Sequence, residues 1–147
     1  MRLTITTLAA ALAASAGILP SAAADHTVKL LNKDGKGSFM LFEPHFLKVA
    51  PGDTVTFVPV DKGHNAEMIP EVWPAGTEKF KGNFNEEVEL TIDKPGVYAI
   101  RCLPHYTMGM VALIVAGEPT NIDQLKAFQA PGGARKRLDA LAAQVTP

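Results

Sequence analysis

From Thr27 to Val115 the chain offers only short apolar runs, each closed by proline, glycine, asparagine or aspartate. Thr27–Leu31 ends at Asn32-Lys33-Asp34-Gly35-Lys36-Gly37, and Thr54–Val58 begins after Pro51-Gly52-Asp53. Within such runs apolar residues alternate, with Val55 and Phe57 on one face and Val88, Leu90 and Ile92 on another. A period of two describes strands with one buried face, and closely spaced turns describe a sandwich or barrel rather than a helical bundle. About eight strands, ending with Val97–Cys102 and Met110–Val115, predict an antiparallel Greek-key β-sandwich. Pro44 interrupts the run Ser38–Val49 and belongs at a sheet edge or a bend. Residues 70–85 carry Pro70, Pro74, Gly76 and Gly82 and predict an irregular excursion, with a short helical turn near Glu78–Lys81.

The two ends of the chain have a different character. Arg2 precedes an uncharged, apolar and small-residue stretch from Leu3 to Leu19, and Ala22-Ala23-Ala24 supplies a small-residue cleavage signal. This pattern predicts a secretory signal peptide over 1–24, export to the periplasm, and a single mature domain over 25–147 with no membrane span. At the other end, Thr120-x-x-Asp123 resembles a helix-capping pattern, and Leu138, Leu141, Ala142 and Val145 recur at helical spacing. Two helices within 120–146 are therefore expected to pack on the sandwich, Pro131-Gly132-Gly133 breaking one from the other.

Charge and cysteine content narrow the function. The whole chain has a net charge of −1, and loss of Arg2 leaves 13 basic against 15 acidic residues. No basic excess exists to neutralise phosphates, so nucleic-acid binding is excluded. The single cysteine, Cys102, cannot form an internal disulfide, and a free thiol in an oxidising compartment is a liability unless buried or bound to metal. Cys102 is followed by His105, Met108 and Met110 on one short loop. A thiolate, an imidazole and a thioether are the soft and borderline ligands that suit copper cycling between Cu(I) and Cu(II). Of the remaining histidines, His26 lies at the frayed mature terminus and His45 at a strand bend. His64 follows Gly63 and precedes Asn65, on a loop that can meet the Cys102 loop at one pole of a sandwich. His64, Cys102 and His105 give a His₂Cys set, with Met108 or Met110 as the weak axial ligand.

The segment Cys102-Leu103-Pro104-His105-Tyr106-Thr107-Met108-Gly109-Met110 resembles the copper loop of the cupredoxins, and among them the pseudoazurins. So do Phe42-Glu43-Pro44, Pro51 to Phe57, Pro59 to Asn65, Lys79-Phe80, Pro95 to Tyr98 and the C-terminal helices. The resemblance implies the ligands His64, Cys102, His105 and Met110, and one copper ion in a monomeric electron-transfer protein that is not an enzyme. It also implies redox partners such as copper nitrite reductase and c-type cytochromes. A complete ligand set leaves no open position for a substrate. Asn65 and Pro104 are expected beside the ligands, Asn65 tying the two loops and Pro104 stiffening the ligand loop. Met108 is expected in an apolar patch around His105, rimmed by Arg101, Lys33, Lys36, Lys62, Lys79 and Lys81, a surface that steers an acidic partner. The alternative reading is a periplasmic copper storage or delivery protein using the same ligands.

Overall fold

The computed structural model describes residues 22–145; residues 1–21, most of the expected signal peptide, lie outside them. Eight strands form two four-stranded sheets. The first sheet holds β1 (Asp25–Lys33), β2 (Phe39–Glu43), β4 (Thr54–Pro59) and β6 (Val88–Thr91), in the order β2-β1-β4-β6. The second holds β3 (Phe46–Val49), β5 (Glu67–Met68), β7 (Gly96–Arg101) and β8 (Val111–Ala116), in the order β3-β8-β7-β5. Pro44 stands where the chain leaves the first sheet and enters the second, between two edge strands. A residue without an N–H costs no ladder bond there.

The sandwich is mainly antiparallel but not purely so. β1 runs parallel to β4 and β3 parallel to β8, so both sheets are mixed. The reason is the crossing at Pro44: β2 and β3 separate β1 from β4 in sequence, and the chain returns beside β1 in its original direction.

Between the sheets lie Val28, Leu30, Phe42, Val55, Phe57, Tyr98, Ile100, Cys102, Met110, Ala112 and Ile114. The intervening residues of β7 and β8 face outward, yet Val97, Ala99, Val111, Leu113 and Val115 are also buried. Two helices cover them, α1 (Ile122–Ala127) and α2 (Gly132–Val145), through Leu125, Ala134, Leu138, Leu141 and Val145. That is why Val111–Ala116 reads as an unbroken apolar run: both its faces are dry. Truncating Leu138 or Leu141 to alanine in such a layer typically costs about 2–5 kcal/mol.

Two local expectations change. Thr120 does not cap α1; its hydroxyl donates to the Pro95 carbonyl, and Asn121 occupies the cap position. Asn121 instead spends its amide on β7, accepting from Val97 N at 2.6 Å and donating to Val97 O at 2.9 Å. The excursion over 70–85 forms no helical turn at Glu78–Lys81. It is shaped by Trp73, stacked on Phe80, edge-on to Tyr98 and donating from Nε1 to the Glu78 carbonyl. Among the described residues no helix is long and apolar enough to cross a membrane.

Candidate metal centre

Strand β7 ends at one pole of the sandwich, and Cys102 follows it immediately with its side chain fully buried. Its backbone N–H donates to the Met110 carbonyl at 3.1 Å, so the ligand loop closes like a clasp between β7 and β8. The loop between, Leu103–Met108, is two short 3₁₀ pieces that meet at a kink at His105, with Pro104 in its first positions. It ends at Gly109, whose φ of 100° suits a residue without a Cβ. The Met110 N–H donates to the His105 carbonyl at 3.1 Å, which folds the loop back on its own histidine.

His64 reaches the same point from the other sheet. Its loop is pinned by Asn85, which accepts from Gly63 N through Oδ1 and donates its own N–H to the His64 carbonyl. The ring is wholly buried, and Nε2 lies 2.8 Å from Asn32 Oδ1. An amide oxygen accepts, so Nε2 carries the proton and Nδ1 keeps a free lone pair. Nδ1 of His64 and Nδ1 of His105 each stand 3.6 Å from Cys102 Sγ, with the two ring centroids 4.9 Å apart.

These distances test the fit of a metal. Ligands about 2.3 Å (sulfur) and 2.0 Å (nitrogen) from a shared centre, spread trigonally, lie roughly 3.7 Å apart. The observed triangle matches. Among the described residues this is also the only group of three histidine, cysteine or acidic side chains close enough to share an ion. Electrostatics agree. Burial foremost pushes the Cys102 thiol above its ordinary pKa, so a thiolate here calls for a cation beside it. Burial, and secondarily the charge of His105, pushes His64 below the usual imidazole value, which keeps it neutral and able to ligate.

The other residues singled out in the sequence fall as follows. Met110 is fully buried beside Cys102 and His105, whereas Met108 is 59 % exposed. Asn65 joins the loops: Oδ1 accepts from Leu103 N at 2.8 Å, and Nδ2 donates to Glu67 and to the Gly82 carbonyl. Leu103, Pro104 and Met108 are exposed around the half-buried His105. Lys33, Lys36, Lys62, Lys79 and Lys81 are exposed, but Arg101 is half-buried and paired with Glu67. His26 is bound to Asp53 near the start of β1, and His45 lines a cleft beside α2. Two partners were not visible in the sequence. Asn32 stood in a turn-forming cluster and carried no sign of a histidine 32 residues away. Glu67 carried no periodic signal at all. Phe39, Val60 and Phe84 are further exposed apolar residues.

A buried thiol flanked by two Nδ1 atoms at the pole of an eight-stranded sandwich defines a small copper-binding β-sandwich protein. The sequence model of the copper-binding proteins of the plastocyanin/azurin family matches residues 28–117. Pseudoazurin of Paracoccus pantotrophus is 48 % identical over 138 residues, covering 93 % of this chain and 94 % of its own. Pseudoazurin of Methylorubrum extorquens is 44 % identical over 140 residues, 95 % of this chain and 92 % of its own. The crystal structure of native pseudoazurin from Hyphomicrobium denitrificans superposes with a TM-score of 0.81 at 50 % identity, covering 84 % of this chain and 99 % of that one. The chain belongs to the plastocyanin/azurin family of copper-binding proteins, and within it to the pseudoazurins. It is a blue-copper electron-transfer protein, copper is its cofactor, and redox proteins are its partners.

Proposed function

We propose that residues 25–147 act as one exported domain that carries single electrons through the periplasm, from a c-type cytochrome to a copper nitrite reductase or a similar acceptor. In this reading His64 and His105 bind copper through Nδ1, Cys102 through Sγ and Met110 through its thioether, and the domain works as a monomer. The observation that carries it is the buried triangle of one Sγ and two Nδ1 atoms with 3.6 Å sulfur–nitrogen edges. Bound there, copper supplies a one-electron couple, Cu(II)/Cu(I). The chain supplies the rest. Two sheets, the Asn65 bond to Leu103 and the Cys102–Met110 clasp hold the ligands in one arrangement, so little moves when the electron arrives. Burial of His64, Cys102 and Met110 keeps water from the ligands.

His105 is the way out. Its ring is half-buried, its loop is bordered by Leu103, Pro104 and Met108, and a dry contact there brings a partner close to one imidazole edge. Exposed Lys33, Lys36, Lys62, Lys79 and Lys81 supply the steering charge for an acidic partner. Arg101 adds less, because Glu67 already neutralises it.

Visible absorption on adding Cu(II) tests the reading. An intense blue-to-green thiolate band that ascorbate bleaches reversibly supports it; a colourless protein with stoichiometric copper favours storage or delivery instead. Met110→Ala should alter that band and Met108→Ala should leave it, whereas the reverse would move the axial role to Met108.

A further inference from the structure

Behind the ligand loop lies a charged cluster that metal binding does not use. Glu67 is 5 % exposed, on the short edge strand β5 opposite Arg101 of β7. Its two carboxylate oxygens have different duties. Oε1 accepts from Arg101 Nε at 2.8 Å and lies 2.8 Å from Nη2 of the same guanidinium. Oε2 accepts from Asn65 Nδ2 at 3.2 Å. The Arg101 guanidinium also lies over the Tyr106 ring, 5.2 Å from its centroid, and the Tyr106 hydroxyl is buried with no hydrogen-bond partner. The ring face therefore serves where the hydroxyl does not.

A buried carboxylate without compensation is costly, and Arg101 compensates it from one side only. The other side does a separate job. An asparagine amide can present either its oxygen or its nitrogen to a neighbour, and Glu67 accepts only from nitrogen. Together with the Gly82 carbonyl, which accepts from the same Nδ2 at 3.3 Å, it turns Asn65 so that Oδ1 faces the Leu103 N–H, which adjoins the thiol residue. The chain of contacts is Tyr106 ring, Arg101, Glu67, Asn65, Leu103.

We propose that Glu67 is a positioning residue of the copper site, fixing the Asn65 clamp on Leu103 with one oxygen while Arg101 balances its charge through the other. This rests on the copper-site reading above and goes beyond it: the pair sets how strongly the site favours Cu(II). Arg101 so placed is a structural cation rather than a member of the steering ring. A carboxylate left unbalanced favours the more positive ion, and a guanidinium left unbalanced favours Cu(I).

The experiment uses the full mature protein in two states. In the copper-loaded protein, Arg101→Gln should lower the reduction potential and Glu67→Gln should raise it. Each shift should be about tenfold in the Cu(II)/Cu(I) equilibrium, which is about 59 mV for one electron. The double variant should return close to the parent, and Arg101→Lys should largely restore it. These shifts should largely survive high salt, because Glu67 is buried and Arg101 half-buried against it, whereas any shift from the exposed Lys62→Gln should fade. Singles that move the potential in the same direction, do not move it, or lose their shift in salt would overturn the charge role. If Arg101→Gln does not fold, Arg101→Met keeps the stem over Tyr106 and removes the charge.

In the copper-free protein, Glu67→Leu should speed exchange of the Leu103 amide hydrogen at least tenfold, while the Leu113 amide, bonded to the His45 carbonyl, stays protected. Unchanged Leu103 exchange would overturn the positioning role whether or not the site takes copper. Absence of a thiolate band in the parent protein would sink the copper-site reading alone.

Discussion

His64 and His105 face one sulfur from the same 3.6 Å, yet their surroundings differ in almost every other respect. His64 is sealed between the sheets, its Nε2 held by Asn32 and its loop by Asn85. His105 sits at the kink of the 3₁₀ loop outside the strands, half-buried, and among the described residues no hydrogen bond occupies its Nε2. Its support comes from behind, where Gly132 and Gly133 of α2 press against the carbonyls of Thr107 and Met108. One imidazole is anchored by the sandwich and the other is presented by a loop that a helix backs. A carrier needs both: a fixed site that barely rearranges, and one edge that a partner can approach.

The comparison breaks most completely if either ring is removed. In His105→Gly the thiolate band should be lost and then restored by added imidazole, because the vacated space opens toward solvent. In His64→Gly the band should be lost without rescue, since the space is enclosed by Asn32 and the sheets. Titrating imidazole into both copper-loaded variants while following the band is the check. Equal rescue would mean that the two environments do not differ as described.

Next in size are the glycines that shape the two sides. At Gly132 a Cβ would meet the Thr107 carbonyl oxygen at 2.6 Å, and the φ of +53° already disfavours a side chain. Strain and overlap together should cost roughly 2–4 kcal/mol in Gly132→Ala, with the ligand loop displaced. At Gly63, beside His64, a Cβ meets nothing within 4 Å, and only the φ of +92° opposes it. Gly63→Ala should cost about 1–2 kcal/mol. Denaturant unfolding of the copper-free variants ranks the two. The visible band should move only in Gly132→Ala.

The contrast also separates what the chain shows in one dimension from what it does not. Alternation at Val55 and Phe57 and the apolar run Met110–Val115 are local patterns; the first lies in β4, and the second became β8, one residue further on at Val111–Ala116. The Cys102 loop is local too, and three of its side chains sit within a few residues of each other. Asn32, by contrast, meets His64 only because β1 and β4 run side by side, and nothing near Asn32 marks that partnership. Glu67 is the same case: Asn65 is its near neighbour in sequence, but Arg101 arrives from β7, 34 residues on. Pro131-Gly132-Gly133 reads as a helix breaker, and the helix α2 instead starts at Gly132, whose missing Cβ lets it press on the ligand loop. Parallel pairing was hidden for a similar reason, since the crossing at Pro44 changes sheets without changing local spacing.

A smaller effect is expected at Asn32. In Asn32→Leu the buried Nε2–H of His64 has no acceptor, at a cost of about 1–3 kcal/mol. The ring is then free to turn Nδ1 away from Cys102. Nitrogen-15 spectra of the copper-free protein should show the His64 tautomer mixed in the variant and single in the parent, with no change at His105. A single, unchanged tautomer in the variant would show that the sheets alone orient the ring.

The smallest effect is one of pH, in the copper-free protein. Burial first, and the His105 charge second, hold the His64 pKa below 6.5 in the folded state. The unfolded chain therefore takes up this proton first as acid is added. Stability from His64 is complete above pH 6.5 and is lost progressively as pH falls below that value toward the lower folded pKa. Urea midpoints at pH 7.5 and 5.5 should differ in this sense, and the difference should shrink in His64→Gln. His105→Gln divides the two causes: it removes the charge and leaves the burial, so the pH difference should be reduced without disappearing. A difference unchanged in His105→Gln would assign the whole shift to the sealed environment of His64, and the two rings would then be related only through the Cys102 sulfur that both face.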